Sequence, residues 1–138
     1  MSEQQRSSSS ADSTNAVAVR HVFKNYGDVE ALRDLSLDFP RGQLTSLLGP
    51  SGCGKTTLLK IIAGLLPATS GDVLVNDKPV TGPGPDRAFV FQDFALLPWA
   101  SVMRNVAFGL ELRGVEKSER EAIAAKYIAD VGLQGFEK

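Results

Sequence analysis

The stretch GPSGCGKTT, residues 49–57, sets glycines at 49, 52 and 54 before a lysine and two threonines. It satisfies the pattern G-x-x-x-x-G-K-[ST]. A loop that leaves a buried strand and enters a helix can aim successive backbone N–H groups at one anion. Gly49, Gly52 and Gly54 permit the positive φ values and the close backbone approach that side chains would block. Pro50, Ser51 and Cys53 fill positions where only the backbone is needed. A helix starting near Gly54 adds its partial positive N-terminus, which favours phosphate.

The charged and hydroxyl groups complete that cradle. Lys55 can reach terminal phosphates as a point charge, and the Thr56 hydroxyl can ligate Mg²⁺, which prefers oxygen ligands shared with phosphates. Thr57 offers a second hydroxyl near an α-phosphate. The flanks provide the required context. Residues 44–48 are a short, nearly continuous apolar run, as expected for a strand buried on both faces of a parallel sheet. Residues 54–66 place Leu58, Leu59, Ile62 and Leu65 or Leu66 at helical spacing. Together these features predict nucleotide binding.

Working outward, residues 16–23 alternate as a strand with Val17, Val19 and His21 on one side. Residues 32–39 form a second, with Leu35, Leu37 and Phe39 on one face, and the pair predicts an antiparallel hairpin with one wet face. DVLVN and RAFVFQ, residues 72–76 and 87–92, read as further strands around a Gly/Pro-rich loop. Two helical stretches follow. Residues 101–113 carry Val102, Val106 and Leu110, while residues 118–131 carry Ile123, Tyr127, Ile128 and Val131. Ser118 and Glu121 can form a capping box at the start of the second. The class is α/β with an added β piece.

The composition bounds the function. The chain has 138 residues, 43% of them hydrophobic, and a net charge of −1. That is enough for one domain, and it lacks the basic block that a nucleic-acid partner requires. No apolar run approaches the ~18 residues of a membrane span. Residues 1–15, rich in Ser, Gln and Asp, read as a disordered tail. The single cysteine, Cys53, excludes an internal disulfide and suits a reducing compartment, the cytoplasm by default. His21, the single histidine, reads as a strand surface residue.

The glycine loop alone leaves kinases, GTPases, recombinases and transporters open. Its surroundings narrow the choice. From YGDVEALRDLSLDF through GPSGCGKTTLLKIIAGLLPATSGDVLVND to RAFVFQDFALLPWASVMRNVAFGL, the chain closely resembles the nucleotide-binding subunit of ABC transporters. VTGPGPDRAFVFQ, LLPW and NVAFGLELRGV are most similar to ATPase subunits of nitrate, sulfonate, taurine and bicarbonate importers. The resemblance implies an α/β fold: a partial P-loop NTPase core, an antiparallel β subdomain and the start of a helical subdomain, over residues 16–138.

It further implies ATP and Mg²⁺ as ligands, with Lys55 and Gln92 in catalysis and Thr56 and Gln92 at the metal. Tyr26 stands where the family places an aromatic that stacks on adenine. Phe94, Leu96, Leu97 and Trp99 make a loop more apolar than a solvated one, where membrane permease subunits would dock. A second ATPase subunit, and indirectly a substrate-binding protein, are the other partners implied, on the inner face of the membrane.

Within these residues there is no Leu-Ser-Gly-Gly-type signature, no strand ending in Asp and a catalytic Glu, and no later histidine. The chain therefore reads as the N-terminal portion of a subunit of about 250 residues. By itself it is expected to be inactive in hydrolysis and poorly stable, with exposed β edges. The alternatives are a non-catalytic nucleotide-binding fragment and a P-loop kinase-like enzyme.

Overall fold

The computed structural model describes residues 14–138, in two units that divide between Phe89 and Val90. Most of the predicted tail lies outside the described residues. Asn15, assigned to it, already belongs to the first strand.

In the first unit, β1 (Asn15–Tyr26) and β2 (Val29–Pro40) form the predicted antiparallel hairpin, turning at Gly27 with φ 57°. β3 (Ser70–Val75) pairs antiparallel with the other side of β1, and β4 (Lys78–Pro79) follows, giving the order β2-β1-β3-β4. The helix α1 (Lys55–Ile62) packs on this sheet. Val19, Val22, Leu32 and Val73 meet Leu58 and Ile61 in the core, with Leu35, Leu37 and Phe39 half-buried against them.

The expected alternation in β1 breaks at His21. Val19 pairs with Leu37, but Val22 pairs with Leu35, so β1 holds one extra residue there. Such a bulge reverses the side-chain phase. Val22, not His21, shares the buried face with Val19, and both are fully buried. β2 answers with its own extra residue between Leu32 and Leu35. His21 and Asp34 take left-handed φ values of 47° and 43°, and His21 Nδ1 lies 2.7 Å from Asp34 Oδ1. The His21 amide donates to Ser36 Oγ at 2.9 Å.

Two of the predicted strands do not form. Residues 44–48 and 87–92 adopt no strand. Leu44 and Leu48 are 97% and 93% exposed, while Leu47 alone packs against the core. An apolar run becomes a buried strand only where neighbours complete its hydrogen bonds, and the sheet of the described residues is wholly antiparallel, without these segments. α1 also stops short of residue 66. Gly64, at φ 76°, donates to the Ile61 carbonyl and Leu65 to that of Lys60. This is a Schellman stop.

The second unit holds α2 (Val102–Leu112) and α3 (Lys117–Asp130), which pack through Ala107, Ala124 and Ile128. Of the apolar residues at helical spacing, Tyr127 and Val131 are exposed, as is Val106. The predicted capping box is also replaced. Glu116 caps α3 by accepting from the Ser118 amide at 2.6 Å, and Glu121 pairs with Lys117 at 3.8 Å. The Ser118 hydroxyl and amide hold the Glu116 carboxyl below its ordinary value. This cap is therefore complete above that value and is lost as pH falls through the lower folded one.

Gly71, at φ 85° in β3, abuts the bulge: a Cβ there would run into the His21 carbonyl and come within 2.6 Å of that of Arg20. Gly71→Ala in the full-length protein is expected to cost roughly 1–3 kcal/mol, read as a lower melting temperature. An unchanged melt would show that β3 does not press on the bulge.

Candidate functional site

The loop of residues 49–54 joins the irregular segment after β2 to α1. Gly52 and Gly54 hold φ values of 81° and 93°, both left-handed, and Gly54 is the N-cap of α1. The Leu58 amide donates to the Gly54 carbonyl at 2.9 Å, closing the first helical turn. The amides of the preceding turn have no partner inside a helix, which leaves Lys55, Thr56 and Thr57 at its positive end.

Glycine is demanded by contacts as well as by φ. A Cβ on Gly54 would lie 2.7 Å from the Ala31 carbonyl and 2.6 Å from Leu32 Cδ2. One on Gly49 would lie 2.8 Å from Cys53 Sγ. Lys55 folds back over the loop. Its Nζ donates to the carbonyls of Gly49 at 2.8 Å and Pro50 at 2.6 Å, and sits 3.4 Å from Cys53 Sγ. The ammonium thus ties the start of the helix to the start of the loop. Cys53 is exposed, and its amide donates to the Pro50 carbonyl at 3.4 Å. Thr56 is exposed and Thr57 half-buried.

Beside the loop lies a cavity of about 300 Å³, lined by Leu32, Arg33, Leu47, Leu48, Cys53 and Lys55 among others. The sequence reading missed Ala31, Leu32 and Arg33 as neighbours of this loop. They arrive from β2, and nothing local in the sequence marks a contact made across such a separation.

The other residues singled out lie elsewhere. Tyr26 ends β1, half-exposed, with Lys24 Nζ 5.2 Å from its ring centroid. The same ammonium donates to the Pro67 carbonyl at 2.9 Å, so Lys24 joins the hairpin to the segment after α1. Gln92 belongs to the second unit, exposed in an irregular segment. Phe94, Leu96 and Trp99 are exposed there, whereas Leu97 is half-buried. Among the described residues no helix is long and apolar enough to cross a membrane.

Comparison with known proteins agrees with this architecture. The ABC transporter family model matches residues 32–138, and the chain belongs to that family. It is 53% identical over 117 residues to an uncharacterized ABC transporter ATP-binding protein of Methanocaldococcus jannaschii, covering 84% of this chain and 44% of the relative. It is 49% identical over 120 residues to the taurine import ATP-binding protein TauB of Escherichia coli, covering 87% and 47%. The chain thus spans somewhat under half the length of these relatives.

Among solved structures, an ATP-binding cassette in a dimeric, post-hydrolysis state bound to ADP and Pi superposes with a TM-score of 0.75 at 28% identity, over 88% of this chain and 60% of the other. cbiO1 from Clostridium perfringens, part of the ABC transporter complex cbiONQ, gives 0.71 at 26% identity, over 91% and 54%. The family match leaves no place for the kinase-like alternative.

Gly54→Ala in the full-length protein is expected to lower the melting temperature by the equivalent of roughly 1–3 kcal/mol. Unaltered melting would show that the loop does not rest on β2.

Proposed function

We propose that this chain is the phosphate-binding half of the ATP-hydrolysing subunit of an importer. The observation that carries the reading is the loop of residues 49–57, with Gly52 and Gly54 left-handed and the Lys55 ammonium clasped to its carbonyls, in a chain of the ABC transporter family. The loop fits a polyphosphate. Its glycines leave no Cβ in the cradle, its helix N-terminus is positive, and Lys55 needs only to exchange carbonyl oxygens for phosphate oxygens.

Each residue then has a task. The backbone from Gly49 to Gly54, through Pro50, Ser51, Gly52 and Cys53, surrounds the phosphates, and Lys55 neutralises the terminal ones. Thr57 contacts the α-phosphate, and Tyr26 offers a ring to adenine. Thr56 would be a ligand for Mg²⁺, and Gln92, in the second unit, is a ligand by the family resemblance alone. Bound ATP supplies the phosphoryl bond whose hydrolysis powers transport. The catalytic carboxylate and the signature are not among these residues, so they contribute positioning and charge.

The partners in this reading are a second ATPase subunit, permease subunits docked near Phe94, Leu96, Leu97 and Trp99, and through them a substrate-binding protein. The subunit lies on the cytoplasmic face of the membrane. A dimeric cassette and a member of a transporter complex among the structural neighbours support that arrangement. The TauB relative, a taurine import protein, supports cargo of the taurine kind, and the wider set of nitrate, sulfonate or a related small anion rests on the sequence resemblance.

Lys55→Ala in the full-length subunit is expected to weaken ATP binding by roughly 10- to 100-fold and to abolish transport by the assembled importer. Wild-type affinity and transport would remove Lys55 from the mechanism. Tyr26→Ala is expected to weaken ATP binding by about fivefold while leaving tripolyphosphate affinity unchanged. Equal losses for both ligands would rule out adenine stacking.

A further inference from the structure

Asn105, in the first turn of α2, is half-buried and makes four side-chain hydrogen bonds to the loop before the helix. Its Oδ1 accepts from the Leu97 amide at 2.8 Å. Its Nδ2 donates to the carbonyls of Leu97 at 3.2 Å, Ala100 at 3.1 Å and Ser101 at 3.0 Å. The Asn105 side chain thus pairs with both backbone groups of Leu97, as a neighbouring strand would, and shares its two N–H groups among three carbonyls. A turn bond from the Ala100 amide to the Leu97 carbonyl, 3.0 Å, closes the loop.

The chemistry of that site is narrow. It needs an acceptor and a donor side by side, at the reach of one methylene, which an asparagine amide provides. Aspartate would keep the acceptor but face three carbonyl oxygens with a charge. Alanine would remove all four side-chain bonds, leaving the Leu97 and Ser101 carbonyls only the amides of Ala100 and residue 105. Glutamine would carry its amide past Leu97.

What the clamp holds is apolar and outward. Leu97 turns partly inward under it, while Leu96 and Trp99 on either side are 64% and 76% exposed and Phe94 is 92% exposed. Large apolar side chains on an unstructured loop would have to be ordered on binding, at a cost for each one. A backbone already fixed by four bonds avoids the loop-ordering part of that cost. Ser101, whose hydroxyl caps α2 by accepting from Arg104, and Asn105 together set where the loop ends and the helix begins.

We propose that Asn105 is a positioning residue for permease docking: it holds residues 97–101 in one shape, so that Leu96 and Trp99 meet the apolar surface of a permease subunit already ordered. The inference rests on the docking reading given under Proposed function. Asn105 touches no nucleotide in it, so its loss separates docking from ATP binding.

The test uses the full-length subunit and its permease in detergent, with Asn105→Asp, Asn105→Ala and Trp99→Ala. Trp99 is the single tryptophan of this sequence, and its emission is read in the isolated full-length subunit, with any tryptophan outside these residues replaced by phenylalanine. Both Asn105 variants are expected to speed exchange of the Leu97 amide about tenfold, to lower Trp99 anisotropy, and to weaken permease binding about tenfold, with ATP affinity unchanged. Alanine serves if the aspartate variant does not fold. Unchanged Leu97 exchange and Trp99 anisotropy in the variants would overturn the clamp. A loosened loop with undiminished permease binding would overturn its positioning role while Trp99→Ala still weakens binding. Full permease binding by Trp99→Ala would instead sink the docking reading itself.

Discussion

The approach of Gly54 to the start of β2 is the constraint on which the first unit depends. With a hydrogen in place of a side chain, the first turn of α1 comes down onto the Ala31 carbonyl and Leu32. That seating brings Leu58 and Ile61 into the face formed by Val19, Val22, Leu32 and Val73. It also aims the helix N-terminus into the loop that Lys55 closes. One missing methyl group therefore serves packing and, in the proposed function, phosphate binding together. The left-handed φ of Gly54 is unfavourable for other residues, and the same residue is the N-cap without any side-chain bond. The helix start is thus formed by backbone alone, with Lys55 reaching back over the loop.

The sheet that receives α1 is shaped by paired irregularities. Opposed extra residues in β1 and β2 put His21 and Asp34 in left-handed conformations, which cost of the order of 1–3 kcal/mol each. The pairing of their side chains and the bond from the His21 amide to Ser36 offset part of that cost. The result is a phase change that keeps Val19 and Val22 both inside. Gly71 extends the accommodation to β3, where the bulged backbone passes too close for a side chain. A bulge increases local twist, and here it lies in the central strand β1, between β2 and β3.

The second unit solves a different problem. Its helices bury little more than Ala107, Ala124 and Ile128, and several large apolar residues remain outside, Phe94, Leu96, Trp99, Leu112 and Phe136 among them. Around Trp99 the backbone is nevertheless ordered, because Asn105 satisfies the amide and carbonyls of a loop that has no strand or helix to pair with. Polar satisfaction within the unit and apolar exposure outside it are thus two sides of one arrangement.

Much of the molecule was legible in residue order. The loop of residues 49–57, the hairpin of β1 and β2 and the existence of α1, α2 and α3 are local matters of glycine placement, alternation and helical spacing, and each was readable for that reason. The nucleotide-binding assignments of Tyr26 and Gln92 came from resemblance, and they remain proposals. Tertiary structure decided the rest. Alternation could not show that an extra residue at His21 would put Val22 inside, because a bulge is fixed by two opposing strands. Hydrophobicity could not show that residues 44–48 and 87–92 would form no strand, since a ladder needs neighbours as well as a pattern. Composition could not find the seat of Gly54 on Ala31 or the clasp of Asn105 on Leu97. The sequence by itself determined which segments could bind phosphate, bend or bury, because those are properties of single residues and their spacing. Only the fold decided which of them meet, because close approach depends on backbone atoms far apart in the chain.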